Sequence, residues 1–250
     1  MSSAPSNAVS VLNPTIPVDQ GIYEVSTTPK ARLGTRIQVG DRTFYYAQAS
    51  ASVNAGVVLC SPQPTASHQS GIFAVAAATA GARTIYGTSS AAVAANVYDE
   101  GYFHITSSAY AGQVYRIKQQ DSGTAAFSIK LYDPIVQSIN TGTFYAITPN
   151  PFKNVFVGSQ VVDVPIGVTP TVVTSGGYFW LQTWGPASPL HQAASAVAAA
   201  LRLGTTGGLV AAFNATTNDA STIQARVIAQ NSVLAATAGQ TNPVMLTILP

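Results

Sequence analysis

Apolar and polar residues alternate with a period of two along most of this chain, in runs of about four to eight residues separated by Gly, Pro, Asn, Asp and Ser, which is the pattern of short β-strands. The signal begins at Ile22-Tyr23-Glu24-Val25. Thr35-Arg36-Ile37-Gln38-Val39 and Arg42-Thr43-Phe44-Tyr45-Tyr46-Ala47 then flank Gly40-Asp41, and a Gly-Asp pair between two β-rich runs predicts a tight hairpin. Further strands are expected at Val57-Val58-Leu59-Cys60, Gly71-Ile72-Phe73-Ala74-Val75 and Ala82-Arg83-Thr84-Ile85-Tyr86-Gly87. Tyr98-Asp99-Glu100-Gly101-Tyr102-Phe103-His104-Ile105, Gln113-Val114-Tyr115-Arg116-Ile117-Lys118 and Ala126-Phe127-Ser128-Ile129-Lys130-Leu131 follow one another across turns, a three-stranded meander. Phe144-Tyr145-Ala146-Ile147, Val155-Phe156-Val157, Val161-Val162-Asp163-Val164, Ile223-Gln224-Ala225-Arg226-Val227-Ile228-Ala229 and the apolar C-terminal run from Val244 continue the pattern. Residues 190–203 fit an alanine-rich helix and a small-residue strand equally well.

The strand with the largest apolar content lies within Gly176-Gly177-Tyr178-Phe179-Trp180-Leu181-Gln182-Thr183-Trp184-Gly185-Pro186 and holds both tryptophans of the chain. At period two, Tyr178, Trp180, Gln182 and Trp184 share one face and Phe179, Leu181 and Thr183 the other. Apolar groups on both faces predict a central strand, opened by the glycine pair and closed by Gly185-Pro186. Tyr178, Phe179, Trp180 and Trp184 are therefore expected in the core, where each buried aromatic is worth roughly 2–3 kcal/mol.

A dozen or more such strands predict an all-β, antiparallel sandwich or barrel-like fold. The first residues carry Pro5, Pro14 and Pro17 among Ser, Asn and Ala, so residues 1–20 are expected to be an extended arm. The weakest part of the pattern lies between Pro134 and Pro151. Residues 21–148 are accordingly expected to form one β-rich domain, with 149–250 a second or a continuation of it.

Charge changes the picture more than hydrophobicity does. Charged residues make up 8% of the 250 positions, about a third of the usual share, and from 164 to 218 Arg202 is the one charged side chain. A surface solubilised by hydroxyls and amides docks to neighbours at little cost in charge desolvation. The 11 basic residues nearly balance the 9 acidic ones and form no cluster, which argues against a nucleic-acid partner. The single cysteine, Cys60, excludes an intrachain disulfide and sits among apolar neighbours as a small core residue. The first residues lack a basic and apolar leader, and no apolar run approaches 20 residues, so a protein made in a cytoplasm with no membrane partner is expected.

Candidate chemistry is sparse. His68, His104 and His191 have no second histidine or carboxylate at metal-ligand spacing, and His104, on a strand, reads as a structural histidine. Asp99-Glu100 reads as a solvated turn rather than half of a glycosidase pair, because neighbours on a strand point to opposite faces. Gly204-Thr205-Thr206-Gly207-Gly208 lacks the lysine of a phosphate loop. No catalytic residue, cofactor or metal is expected.

Three blocks carry a resemblance. Gly34-Thr35-Arg36-Ile37 with Asp41-Arg42-Thr43-Phe44-Tyr45-Tyr46-Ala47, Glu100-Gly101-Tyr102-Phe103 with Gly112-Gln113-Val114-Tyr115-Arg116-Ile117-Lys118, and the aromatic block Gly177 to Pro186 together resemble virion structural proteins of tailed bacteriophages, of the capsid decoration or cement type. The resemblance implies a non-enzymatic protein on the capsid surface that bridges neighbouring shell subunits. Its partners would be the major capsid protein and further copies of itself, as a homo-oligomeric dimer or trimer. The proline-bearing arm is the expected capsid contact. A receptor- or glycan-binding appendage, with Tyr178, Trp180 or Trp184 exposed for stacking on sugar, stands as the alternative. A virion-borne depolymerase would need clustered carboxylates, and a main-shell subunit a long helix.

Overall fold

A computed structural model describes residues 19–69, 72–123, 126–158, 163–190, 198–203, 210–212, 229–232, 241 and 243–249. Within them run β1 (Arg36–Val39), β2 (Arg42–Gln48), β3 (Val58–Cys60), α1 (Ala66–Gln69), β4 (Ile72–Ala74), β5 (Thr84–Thr88), β6 (Tyr102–Ile105), β7 (Val114–Gln120), β8 (Phe127–Leu131) and β9 (Phe144–Thr148). They continue as β10 (Phe156–Val157), β11 (Pro165–Val168), β12 (Tyr178–Ala187), β13 (Ala198–Leu203), β14 (Val210–Ala212), β15 (Ala229–Ser232) and β16 (Val244–Thr247). The protein is all-β and its strand ladders are antiparallel, as the alternation predicted.

Two compact units divide the chain, Met1–Pro62 with Phe152–Pro250, and Gln63–Pro151. The second is thus inserted in the sequence of the first; the periodicity predicts 21–148 as one domain, with 149–250 a second or a continuation of it, and carries no sign of an insertion. The reason is non-local pairing: β2 lies against β12, more than a hundred residues later, and local periodicity carries no record of that.

In the discontinuous unit the strand order is β10-β3-β11-β12-β16-β15-β13-β14, with β2 on the other edge of β12 and β1 beyond it. The β1–β2 hairpin turns at Gly40-Asp41, where Gly40 alone has positive φ, 61°, as a turn with glycine at its first central position requires. The aromatic strand is central, as expected: β2 pairs with one edge and β11 and β16 with the other. Trp180 lies opposite Tyr46, and their rings meet edge to face with centroids 4.9 Å apart. Phe179, Trp180, Leu181, Phe44 and Tyr46 are all buried.

Trp184 departs from the expectation. The β2 ladder slips between Gln182 and Trp184, so Trp184 stands opposite Thr43, where a regular register would set Arg42. The extra residue, Thr183, interrupts the alternation that ranged Trp184 with Trp180. Trp184 is only partly buried and belongs to none of the hydrophobic clusters among the described residues. Nor does Gly185-Pro186 end the strand, which runs to Ala187 along β16. Among the described residues, β16 is the one strand paired with β12 beyond Trp184, the circumstance in which a strand tolerates proline.

The expected arm of residues 1–20 does not include Gln20. Gln20 is buried; its amide Nε2 donates to the carbonyls of Glu24 and Tyr178, each at 2.9 Å, and its Oε1 accepts from Tyr46 Oη at 2.7 Å. Trp180 Nε1 donates to the Gln20 carbonyl at 3.0 Å. A buried carboxamide needs such partners, so Gln20 belongs to the core, and Pro5, Pro14 and Pro17 lie outside the described residues. Ile22 to Val25 forms a turn rather than a strand, followed by a single bridge from Ser26 to Tyr178.

The inserted unit is a closed barrel, β4-β5-β8-β7-β6-β9, and contains the expected meander β6-β7-β8. Inward side chains fill it, among them Ile72, Ile85, Phe103, Ile117, Ile129 and Tyr145, as six strands leave room for side chains and little else. Gly87 faces Tyr145, whose hydroxyl end occupies the space that any Cβ at 87 would need. Among the described residues the buried Tyr145 hydroxyl has no hydrogen-bond partner, and burial raises its pKa. Tyr145→Phe is therefore expected to stabilise the protein by ~1 kcal/mol or more, since it removes an unpaired polar group at constant shape. Thermal unfolding checks this, and a lower midpoint would show that the hydroxyl is satisfied.

The ambiguous segment resolves to strand at 198–203, while 191–197 and most of the run expected at 223–229 fall outside the described residues. The C-terminal strand is tucked into the sheet between β12 and β15, with Val244 and Leu246 buried.

Candidate functional site

The barrel carries an aromatic face on its outside. Along β4 the inward residues are Ile72 and Ala74, which sends Phe73 outward, and Val75 follows on the same side. Phe73 pairs directly with Phe144 of β9, their ring centroids 6.2 Å apart and steeply inclined. Val75 N donates to the Tyr86 carbonyl on β5 at 3.1 Å, which brings Tyr86 alongside. Phe73 is 38% exposed, Phe144 50% and Tyr86 50%. Cross-strand aromatic pairs ordinarily stabilise a sheet, yet here each of these residues stays exposed to water, as at surfaces that dock a partner. The sequence signal was available: Phe73 and Phe144 are large apolar residues out of phase with the inward positions of their strands.

A second cluster surrounds Glu100. Arg116 Nη2 lies 2.8 Å from Glu100 Oε2, Tyr132 Oη donates to Oε1, and the Glu100 carbonyl accepts from Asn150 Nδ2 at 3.0 Å. Asp99 Oδ1 accepts from the Gln120 backbone N–H at 2.8 Å. The expected solvated turn is therefore a tied one. Glu100 holds a positive φ of 64°, an uncommon conformation for a non-glycine residue that these bonds over-determine. Both carboxylates are engaged in joining β6, β7 and the barrel end, and they do not face each other across a cleft.

The histidines resolve separately. His104 Nε2 lies 2.9 Å from Thr148 Oγ1 on the neighbouring strand, and burial lowers its pKa, keeping it neutral at physiological pH. His68 is buried on α1, its Nδ1 2.6 Å from Tyr98 Oη. His191 and the glycine-rich 204–208 segment lie outside the described residues. Cys60 is buried, and burial, with Asp163 adding to it, pushes the thiol up to about 12, the state of an inert core thiol.

Of the aromatic residues singled out in the sequence, Phe179 and Trp180 are sealed in the core, and Tyr178 packs against it partly buried. Trp180 thus offers no face to a sugar.

A third feature lies in the discontinuous unit: an open recess of about 260 Å³ bordered by Tyr23, Arg42, Thr169, Gln182, Pro186 and Ser188, among others. Arg42 Nη1 donates to Tyr23 Oη at 3.1 Å, and its guanidinium carbon sits 5.5 Å from the centre of the Phe44 ring. These side chains come from positions about 20 to 160 residues apart, so no local motif announces them.

Comparison with protein-family models, with curated proteins and with solved structures finds no significant match to this chain.

Proposed function

We propose that this chain is a structural virion protein of a tailed phage, one that attaches to the outside of the capsid shell and holds neighbouring subunits together. The observation that carries the reading is the outward aromatic face of the barrel, Phe73, Val75, Tyr86 and Phe144, on a protein with charged residues at only 8% of its positions. A protein of this kind works by contact. Exposed aromatic rings supply apolar area at low conformational cost, and a hydroxyl- and amide-rich surround adds little charge desolvation. Contacts that are weak singly add up when a copy touches several shell subunits at once, because the second contact forms at high effective concentration. In this reading the partners are the major capsid protein and further copies of the chain, and the proline-bearing segment before residue 19 is a further contact. The resemblance of the three sequence blocks to decoration proteins supports the same reading.

Peptide mass spectrometry on purified particles, counting this chain against the major shell protein, tests it. A ratio within a few-fold of one is expected. Absence from particles overturns the virion reading, and a ratio of a few per cent replaces shell decoration with a tail or vertex role. That last outcome suits the second reading, a glycan-binding appendage, which the recess beside Arg42 favours.

A further inference from the structure

The recess in the discontinuous unit joins two recognition groups of opposite sense. Arg42 is one. Its Nη1 donates to Tyr23 Oη and its plane lies near the Phe44 ring, but among the described residues no carboxylate pairs with it. Its remaining N–H donors are left for a ligand, in the planar fork that suits a carboxylate.

Gln182 is the other. It is 5% exposed, and its Nε2 donates to the carbonyls of Trp184 at 3.2 Å and Pro186 at 2.7 Å. Two carbonyl acceptors settle which end of the carboxamide is nitrogen. Oε1 is the end left over, and among the described residues no donor reaches it. Oε1 is not one of the sealed, unpartnered atoms of the described residues, and Gln182 lines the recess, where this acceptor can meet a donor. Thr169, by contrast, is spent: its Oγ1 donates to the Asn54 carbonyl at 2.7 Å and accepts from the Val57 N–H at 3.0 Å. It is a wall, as are Pro170 and Pro186.

We propose that this recess is a binding site for a hydroxylated carboxylate of single-ring size, an acidic sugar of the hexuronate type, with its carboxylate on Arg42 and a ring hydroxyl donating to Gln182 Oε1. A neutral sugar would make no use of the guanidinium charge, and a bare carboxylate would offer no donor to Gln182 Oε1. At about 260 Å³ the recess falls just below the range that takes drug-sized ligands, which limits the occupant to about one ring. The assignment stands apart from the proposed shell attachment, which uses the barrel face.

Titration of the purified full chain with sodium glucuronate, glucose and sodium acetate, followed by saturation-transfer NMR or calorimetry, tests it without any particle. Glucuronate is expected to bind at about 10 mM or tighter, with glucose and acetate each weaker by about tenfold or more. Arg42→Gln should weaken glucuronate by about tenfold and leave glucose unchanged. Should that variant fail to fold, Arg42→Lys, which keeps the charge and stem but loses the fork, should still weaken glucuronate several-fold. No binding of glucuronate, equal binding by the Arg42 variant, or acetate matching glucuronate would each overturn the assignment.

Discussion

Trp180→Ala is expected to lower the stability of the discontinuous unit by ~3–5 kcal/mol, the range for deleting a buried aromatic side chain. Three losses combine at this position. Trp180 is completely buried, it meets Tyr46 edge to face at 4.9 Å, and its Nε1 anchors the carbonyl of Gln20 at 3.0 Å. Without the indole, the Gln20 carbonyl loses its donor, and the network of Gln20, Tyr46 and Tyr178 loses its packing wall. Trp180→Phe separates the terms, because it keeps a ring while removing the N–H; ~1–2 kcal/mol is expected from the unmet carbonyl and the smaller volume. Urea titration followed by circular dichroism measures both. A cost below ~1 kcal/mol for the alanine variant would mean that the strand is not the core anchor described above.

The second large effect is on attachment. Phe73→Ser combined with Phe144→Ser is expected to leave folding stability within ~1 kcal/mol, since both side chains lie on the exposed face of the barrel. Binding to shells should nonetheless weaken by roughly 10²–10³-fold, as aromatic anchors at an interface typically cost 1–2 kcal/mol or more each when truncated. The losses multiply further if one copy spans several shell sites. Cosedimentation of purified protein with shells that lack it gives the occupancy directly. Undiminished occupancy would move the contact away from the barrel face, and the companion deletion of residues 1–18 would then locate it on the arm. That deletion must stop short of Gln20, which the core holds through both its amide and its carbonyl.

Local chemistry was legible in the sequence, and long-range pairing was not. Gly40-Asp41 between two alternating runs was enough to place the β1–β2 hairpin, because a two-residue turn specifies its own geometry. The meander β6-β7-β8 and the buried C-terminal strand followed from periodicity alone. Trp184 was misplaced because a bulge at Thr183 is a property of the ladder with β2, and nothing in Gln182-Thr183-Trp184 records which partner residue will be skipped. Gln20 was assigned to the arm on the strength of the prolines before it, when its partners are Tyr46 and Tyr178, far along the chain. The same distance hid the recess: Tyr23, Arg42 and Gln182 meet only because β2 lies beside β12. The Phe73–Phe144 face was legible in principle, since outward aromatics violate the inside–outside alternation of their own strands.

The discontinuous unit also sets a timetable on the ribosome. The barrel is complete in sequence once Pro151 has emerged, and its ladders need nothing made later. Strand β2, by contrast, ends at Gln48 and waits for β12, which begins at Tyr178. At typical elongation rates those intervening residues take on the order of ten seconds to synthesise. Throughout that interval Phe44, Tyr46 and the β2 edge stand without their covering strand, a nascent chain with an open apolar edge of the kind that chaperones shield. Strand β2, translated before the barrel, is therefore finished after it, and the yield of the protein in cells should depend on the helpers present during synthesis.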